Sequence, residues 1–430
     1  MRAQDVLGMN ARNHEYLKYN TRSGKKIANS KLLTKSTMRK LKIPVPRLFK
    51  VFRDRSELDK YDFTRLSDSF VVKPNNGLGG EGIIVVERGG LYAGEWITSS
   101  GDKIDVQDIK LHIEDIIEGR FSMDDTADFA FVEERVKIHP VFEKYAYHGT
   151  PDVRVIVFNK IPVMAMLRIP TKESGGRANL HQGAVGAGID LATGITTHAI
   201  VYANEVAFMP DSRRRVRGIQ IPEWDKVLEL SIMASEASGL AFVGADVVLQ
   251  PSTKYPGKTL PKILEINAQP GLKIQLCNKA GLRSRLRRVE GLEVESPKHG
   301  ISIGKTLFGE KDMKHLSTKK KKIKVFEEVE VVNQLKEKVL VKVKVDTGAF
   351  RTSIDQALAE ELGLLRSDNI VMQKEYESAL GQTTRDVIRI VFYLAGKRIE
   401  TTASVADRSK LKRPFLVGRR DLKGFQIVFD

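Results

Sequence analysis

The stretch VVKPNNGLGGEG, residues 71–82, decides how the first part of this chain is interpreted. It joins a short apolar run and one lysine, Lys73, to a loop that holds four glycines in six residues. Such a loop can fold closely over phosphate groups and offer them its backbone N–H groups, while the lysine adds a point charge. An ordinary glycine-rich hairpin has the same pattern, so this stretch alone leaves both interpretations open.

Hydrophobic patterns around the loop predict an α+β body followed by a small, mostly-β domain. We expect helices over 31–42 and 224–238 and helix-like stretches after residue 86. Strands are expected over residues 69–74, 83–86, 129–136, 152–158, 162–169, 242–249 and 260–267. After Pro297 the regular pattern weakens, and from about residue 324 strands alternate with glycine turns.

Length and composition narrow the class of protein. A chain of 430 residues predicts at least two domains, and 41% hydrophobic with 29% charged residues argues against wholesale disorder. No stretch is apolar enough for a membrane span, and residues 1–5 lack the apolar segment of a signal peptide. Cys277 is the single cysteine, which excludes an intramolecular disulfide and a cysteine-cluster metal site. We therefore expect a cytoplasmic protein.

Positive charge is concentrated in two segments. The net charge is +17, and residues 1–55 contribute +12 while residues 273–322 contribute +9. An anionic partner such as nucleotide phosphate, an acidic peptide or nucleic acid would suit these segments. A solvated face is the alternative, because basic composition alone identifies no site.

A second set of residues predicts a metal site. Glu265 and Asn267 stand two residues apart, so both point to one face of a strand, and Asp246 lies on the predicted partner strand. Two carboxylates and an amide oxygen suit Mg²⁺, which would bridge nucleotide phosphates. The alternative is the exposed polar face of a hairpin, but Leu264 and Ile266 are expected on the opposite face.

Together with other ordered blocks, these residues resemble ATP-grasp ligases of the RimK type, closest to the alpha-L-glutamate ligase-like proteins. The blocks are LGMNARN (7–13), SKLLTK (30–35), IPVP (43–46), VVKPNNGLGGEGI (71–83), PDVRVIVF (151–158), PVMAMLRIPT (162–171), ANLHQGAVGAGIDLATG (178–194) and EINAQPGL (265–272). The family joins a carboxylate to an amine through an acyl phosphate made with ATP. Many members carry about a hundred residues before the first nucleotide lysine, whereas here 30 residues precede Lys31.

The resemblance implies a role for each matching residue. Nucleotide contacts are implied for Lys31, Lys73, Gly77, Gly79, Gly80, Glu133, Glu134, Arg135 and Val136, the last four as the adenine hinge. Asp246, Glu265 and Asn267 would hold Mg²⁺, with Mn²⁺ as the alternative metal. Arg154 and Arg168 would contact the transferred phosphate or a substrate carboxylate, and Asn179 and His181 would lie at the acceptor side. For His181, a packed or surface histidine is the alternative.

The C-terminal part carries a third motif. Val345-Asp346-Thr347-Gly348-Ala349 is followed by FLVGRRD, residues 415–421. This pair resembles retropepsin-like aspartic protease domains that accompany RimK-type ligases. Hydrolysis there needs two carboxylates that share a proton, and one motif supplies only Asp346, so a homodimer is expected. A dimerisation or peptide-binding module is the alternative.

The sequence therefore predicts an ATP-grasp ligase domain over 1–305 with a shortened N-terminal part, a basic linker over 306–323 and a retropepsin-like domain over 324–430. We expect an ATP- and Mg²⁺-dependent carboxylate–amine ligase whose substrate is glutamate or another acidic amino acid, peptide or protein. The second hypothesis is a nucleic-acid- or ribosome-binding protein with a vestigial ATP-grasp body.

Overall fold

The computed structural model describes residues 2–77, 79–122, 126–252, 255, 257–309, 321–378, 381–409, 411–422 and 425–428. The chain divides into two compact units, Met1–Lys314 and His315–Asp430. Most of the predicted linker, residues 310–320, lies outside the described residues. Within the described ranges, no helix is long and apolar enough to cross a membrane.

The first unit begins with helices and a six-stranded antiparallel sheet. The helices are α1 (Met9–Ala11), α2 (Arg22–Ala28), α3 (Lys31–Lys40), α4 (Arg55–Asp59) and α5 (Val106–Ile117). The strands are β1 (Leu48–Phe52), β2 (Phe70–Pro74), β3 (Ile84–Gly89), β4 (Glu95–Thr98), β5 (Lys103–Asp105) and β6 (Ala130–Glu134), in the order β1-β6-β2-β3-β4-β5. Phe52, Phe70 and Trp96 pack with Ile109 and Ile113 of α5 in its core.

Two differences from the predicted elements have local causes. Helix α3 ends at Lys40 because Lys42 has a left-handed backbone, with φ of 57°, just before Ile43 and Pro44. The prediction of helix after residue 86 is wrong for β4 and β5, and it holds only for α5. There Asp105 caps the helix by accepting from the N–H groups of Gln107 and Asp108.

A seven-stranded antiparallel sheet forms the centre of the first unit. Its strands are β7 (Asp152–Phe158), β8 (Ile161–Ile169), β9 (Val185–Ile189), β10 (Thr196–Val201), β11 (Asn204–Val206), β12 (Phe242–Pro251) and β13 (Thr259–Asn267), in the order β11-β10-β9-β8-β7-β12-β13. The helices are α6 (Pro140–Glu143), α7 (Trp224–Ser238), α8 (Ile274–Asn278), α9 (Leu282–Val289) and α10 (Pro297–Phe308). All residues of β7 are buried, including the charged Asp152 and Arg154, so this strand is covered on both faces.

Helix α10 corrects the prediction that regular structure fades after Pro297. Proline is well tolerated in the first turn of a helix, and the Ser296 hydroxyl caps this turn by accepting from the N–H of His299. Gly300 and Gly304 lie so close to β8 and the turn before it that an added Cβ would meet backbone oxygens at 2.2 and 2.5 Å. These glycines therefore serve helix–sheet packing.

The arginines of α9 make contacts within the first unit. Arg283 pairs with Glu15, and the guanidinium carbons of Arg285 and Arg288 lie 5.1 and 5.4 Å from the centre of the Phe308 ring. Such cation–π contacts stabilise the packing of α9 against α10. Three of the basic residues of 273–322 that were predicted to meet an anionic partner therefore make contacts inside the unit.

The second unit contains a six-stranded barrel. Its strands are β14 (Lys321–Ile323), β15 (Phe326–Val332), β16 (Lys338–Asp346), β17 (Thr352–Asp355), β18 (Ile370–Ser378), β19 (Gly381–Leu394), β20 (Lys397–Ala406), β21 (Phe415–Gly418) and β22 (Phe425–Ile427), and its helix is α11 (Gln356–Glu361). Six strands pair in the order β15-β16-β21-β17-β20-β19, and they close into a barrel because β15 also pairs with β19. Strand β18 adds to β19, and β14 pairs with β22. Phe392 and Phe415 pack edge to face in the core.

The packing of β9 on α8 generates a stability prediction. An added Cβ at Gly188 would lie 2.3 Å from the carbonyl oxygen of Cys277, so Gly188→Ala should lower the free energy of unfolding by about 2 kcal/mol through overpacking. The matched control is Gly8→Ala, because Gly8 has no atom within 4 Å of its added Cβ and φ of −83°. Equal denaturation midpoints for the two variants would contradict this packing.

Candidate active site

A cleft of about 1000 Å³ lies between the two sheets of the first unit. The predicted site residues that line it are Lys31, Lys73, Gly77, Gly79, Gly80, Glu133, Glu134, Arg135, Val136, Arg154, Arg168, Asn179, Glu265 and Asn267. Asp246 is fully buried behind this surface, and His181 is not among the lining residues. The structure therefore brings most of the predicted residues to one cavity.

One side of the cleft carries three lysines and one buried carboxylate, which we call the lysine cluster (Lys31, Lys35, Lys73 and Glu133). Lys73 Nζ lies 2.6 Å from Glu133 Oε1, and Lys35 pairs with Oε2. Burial favours the neutral carboxyl, but Lys73 and Lys35 outweigh it and lower the pKa of Glu133. Burial also lowers the pKa of Lys35. With two lysines on one carboxylate, this side of the cleft keeps an excess of positive charge.

Lys35 was missed in the sequence analysis. Its signal is its spacing, since Lys31 and Lys35 stand four residues apart and so lie on one face of α3. Burial lowers the pKa of Lys31 as well. Lys31 Nζ donates to the carbonyl oxygens of Gly77 and Asn75, at 2.6 and 3.3 Å, and so holds the start of the glycine loop.

The glycine loop is held at its start and at Gly79. The Asn76 N–H donates to Asp128 at 2.7 Å, and Gly79 and Gly80 have φ of 64° and 85°, which favour glycine. The Asn179 amide donates to the Gly79 carbonyl at 3.4 Å. The segment around Asn179 therefore reaches the loop from the opposite side of the cleft.

The other side of the cleft is built by register across four neighbouring strands. Asp246 of β12 lies opposite Arg154 of β7 and Glu265 of β13. Arg154 donates to both carboxylate oxygens of Asp246, at 2.6 and 2.5 Å. Arg168 of β8 donates to Asp246 at 2.6 Å, and the Asn267 amide donates to it at 3.2 Å. We call these residues, with Asp152, the carboxylate–arginine cluster.

Asp152 is a second residue that the sequence analysis missed. It lies opposite Arg168 in the β7–β8 register and accepts two hydrogen bonds from it, at 2.6 and 2.8 Å. Burial raises the pKa of Asp152. Burial acts the same way on Asp246, but Arg154 and Arg168 outweigh it and lower the pKa of Asp246. The available signal was the spacing of Asp152 and Arg154 at two residues, which places both on one face.

A β-bulge corrects the predicted position of Leu264. Glu265 pairs with Asp246, but the next pair is Val247 with Ile263, so Leu264 is an extra residue in β13. Leu264 consequently lines the cleft together with Glu265, and the prediction that it faces the other way is wrong. The bulge adds an apolar side chain to the cleft beside the carboxylate.

The donors on this side suit a hard cation. Glu265 and Asn267 line the cleft and offer a carboxylate and an amide oxygen, which are ligands preferred by Mg²⁺. Burial, with the nearby Asp246, raises the pKa of Glu265, and a divalent cation would counter this rise. Within the described ranges, no three His, Cys, Asp or Glu side chains are grouped to hold a metal. Beside the Glu265 carboxylate, the Asn267 amide oxygen is a further donor that the cleft offers to a metal.

Asn179 and His181 differ in placement. Asn179 lines the cleft, whereas His181 is exposed, and its backbone N–H donates to Asn179 Oδ1 at 2.9 Å. His181 is thus exposed and is not among the residues that line the cleft, and its role stays a prediction.

Asp346 belongs to the barrel of the second unit. Its Oδ1 accepts from the N–H groups of Gly348 and Ala349, at 2.9 and 3.3 Å. It lies opposite Gly418 in the parallel β16–β21 register, and Val417 is buried beside it. The loop geometry therefore fixes one oxygen of Asp346.

The lysine cluster generates a second stability prediction. Glu133→Gln leaves Lys35 and Lys73 buried without their carboxylate, which should lower the free energy of unfolding by about 3 kcal/mol. Glu134→Gln is the matched control, because Glu134 is the next residue but is partly exposed and pairs with Lys262. This substitution should lower the free energy of unfolding by about 1 kcal/mol or less. Urea denaturation measures both, and similar losses would contradict a special role for Glu133.

Comparison with solved structures gives likenesses of low identity. An L-amino acid ligase from Bacillus licheniformis is 13% identical over 60% of this chain and 44% of its own, with a TM-score of 0.33. A D-alanine–D-alanine ligase from Bacillus anthracis complexed with ATP is 15% identical over 67% of this chain and 69% of its own, with a TM-score of 0.33. The simian foamy virus (mac) protease is 18% identical over 23% of this chain and 90% of its own, with a TM-score of 0.17. At these scores the likenesses carry no argument about activity.

A family comparison is more specific. Residues 11–291 match the family described as sugar-transfer associated ATP-grasp, while no curated protein matches the chain. The match includes the lysine cluster and the carboxylate–arginine cluster, and the RimK-type assignment stays a prediction. Because the match covers well over half of the 430 residues, the chain belongs to the sugar-transfer associated ATP-grasp family.

Proposed function

We propose that this chain is an ATP- and Mg²⁺-dependent carboxylate–amine ligase, of the RimK type, that acts through an acyl phosphate. One observation carries the proposal: the cleft sets a lysine cluster with excess positive charge opposite Glu265 and Asn267. Bound triphosphate would offset the lysines, and a bound cation would offset the carboxylate. The two sides also interact electrostatically, because the negative charge of Glu265 opposes the fall in the pKa of Lys31 that burial causes.

The nucleotide would lie along the lysine cluster. Lys73 and the backbone of the glycine loop would bind phosphates, with Lys31 bracing the loop. Glu133, which Lys35 also contacts, would position Lys73. An adenine ring would contact Leu264 and the backbone of residues 133–136, which line the same cleft.

The carboxylate–arginine cluster would hold the metal and the reacting groups. Glu265 and Asn267 would hold Mg²⁺, or Mn²⁺ in its place, with Asp246 behind them. Mg²⁺, when bound, supplies charge neutralisation on the transferred phosphoryl group. Arg154 and Arg168 line the cleft, and neither uses its Nη1 nitrogen in a hydrogen bond within the described part of the chain. These donors would orient the substrate carboxylate and stabilise developing negative charge.

The chemistry then follows from position. A carboxylate oxygen of the acidic substrate attacks the γ-phosphorus of ATP, and ADP leaves. The amine of the acceptor attacks the acyl carbon, inorganic phosphate leaves, and the amine loses a proton. Asn179, which donates to the glycine loop, would lie on the acceptor side. The competing hypothesis of a nucleic-acid or ribosome binder does not account for cleft-facing Glu265 and Asn267.

Removal of Glu265 tests the proposal. Glu265→Ala should lower turnover by about a hundredfold or more, because it removes a ligand that acts on the transition state. The measurement is ADP release with mass spectrometry of products, using acidic amino acids and peptides as substrates. Glu293→Ala is the matched control, since Glu293 is exposed and its loss should leave turnover unchanged.

Nucleotide-linked stability separates binding from chemistry. ATP with Mg²⁺ should raise the melting temperature of the unaltered chain and of Glu293→Ala through ligand linkage. Glu265→Ala should show a smaller rise. Near-normal turnover of Glu265→Ala at saturating Mg²⁺ would rule out the metal assignment.

For the second unit we propose a retropepsin-like role, peptide hydrolysis or peptide binding, in a homodimer. The supporting observation is the Asp346 loop, in which two backbone N–H groups fix one carboxylate oxygen. A two-fold axis would supply the second carboxylate through an identical surface. Two close carboxylates then share one proton.

Sedimentation of the full chain tests this role. We expect a dimer at tens of micromolar, and any proteolysis should have a bell-shaped pH profile because the pair titrates as a unit. Asp346→Asn should abolish proteolysis while the ligase reaction continues unchanged. A strict monomer at these concentrations would exclude hydrolysis of the retropepsin type.

A further inference from the structure

An arginine-rich loop on the first unit lies outside both basic segments that the sequence analysis singled out. Residues 208–218, FMPDSRRRVRG, hold four arginines and one aspartate. We call this segment the arginine loop. All four arginines, Arg213, Arg214, Arg215 and Arg217, are exposed. Within the described ranges, Arg213, Arg214 and Arg215 have no carboxylate within ion-pair distance, in contrast to Arg283 of α9.

The backbone of the arginine loop is anchored to the core of the first unit and hydrogen-bonded within the loop. Met209 and Val216, at its two ends, are 1% exposed and belong to the core of the first unit. The N–H of Met209 donates to the carbonyl of Arg214 at 2.8 Å, and the N–H of Arg213 donates back to Met209 at 3.0 Å. The Thr196 hydroxyl donates to the Val216 carbonyl at 2.6 Å. The backbone is therefore fixed, and the guanidinium groups project from an ordered base.

Arg213 occupies an unusual backbone position. Its φ of 50° is left-handed, where glycine or asparagine costs less than a long side chain. Strained positions of this kind persist when surrounding structure enforces them, and they often mark functional surfaces. Arg213 adopts this conformation directly before Arg214, where the loop closes on Met209.

The loop is tied to the rim of the candidate cleft. The Asp211 carboxylate accepts from the N–H of Lys172 at 2.7 Å, and both Lys172 and Arg177 line the cleft. Arg177 also packs against the glycine loop, since a Cβ added at Gly80 would lie 3.5 Å from its Cδ atom. One short segment, residues 172–177, therefore joins the glycine loop to the arginine loop.

We propose that the arginine loop docks the part of an acidic polypeptide acceptor that extends out of the cleft. This inference rests on the proposed ligase function, because a carboxylate-bearing chain held at Arg177 would continue along Lys172 to Arg213, Arg214 and Arg215. Guanidinium forks bind carboxylates in a bidentate manner. A fixed loop loses little conformational freedom when it binds, which favours affinity.

The test is a binding assay that needs no nucleotide and no turnover. The probe is fluorescein-labelled poly-L-glutamate of about 20 residues, followed by fluorescence anisotropy at low salt, where exposed charges are least screened. Arg213→Asn, Arg214→Gln and Arg215→Gln together should weaken binding by about tenfold, because three exposed charge contacts are lost. The dependence of affinity on salt should also become shallower in this triple variant.

A second triple variant serves as the control, because it removes the same number of positive charges and also changes one residue with a left-handed backbone. Arg39→Gln, Lys40→Gln and Lys42→Asn remove three exposed positive charges, and Lys42 also has a left-handed backbone, with φ of 57°. This control should change binding by less than twofold. Should the first triple fail to fold, Arg214→Gln with Arg215→Gln leaves Arg213 in place and should weaken binding by about fivefold.

The outcomes separate this inference from the proposed function. Equal binding by the two triples would overturn the docking role. A 20-nucleotide single strand that binds more tightly than poly-L-glutamate and is lost in the arginine triple would overturn it in favour of a nucleic-acid surface. Specific loss of poly-L-glutamate binding in a chain without ligase turnover would uphold the docking role while the proposed function fails.

Discussion

The bidentate pairing of Arg154 with the fully buried Asp246 is the interaction on which the rest of the cleft depends. Two charges inside a protein are tolerated only when each is satisfied by close partners. Arg168 and Asp152 complete the set, so three neighbouring strands are locked in one register. Register fixes which side chains face the cleft, and it therefore determines where Glu265 and Asn267 lie.

In the lysine cluster, by contrast, the buried charges are not balanced. Glu133 is 1% exposed and is shared by Lys35 and Lys73, so the charges do not cancel within the protein. An anionic ligand would lower the cost of holding these lysines in a partly desolvated site. The two sides thus differ in charge: each arginine of the carboxylate–arginine cluster pairs with a carboxylate, whereas the lysine cluster has more lysines than carboxylates.

The sequence predicted several of the residues that line the cleft, because residues two positions apart in a strand point to the same face. The spacing of Glu265 and Asn267 was enough to place both on one face, as observed. It failed at Leu264, since a bulge changes the alternation by one residue and nothing in the local sequence marks it. Lys35 and Asp152 each had a local spacing signal, but they were missed because the partners that give them a role in the cleft, Glu133 and Arg168, are distant in sequence.

Charge counting shows the same limit. Residues 273–322 stood out by composition, yet Arg285 and Arg288 of that segment hold the Phe308 ring inside the unit. Residues 208–218 did not stand out, yet Arg213, Arg214 and Arg215 face solvent. The difference lies in the contacts of each guanidinium: Arg285 and Arg288 lie against the Phe308 ring and donate to backbone carbonyls, although Arg288 is exposed as well. Net charge therefore indicates a partner only after the structure shows which charges already have contacts within the protein.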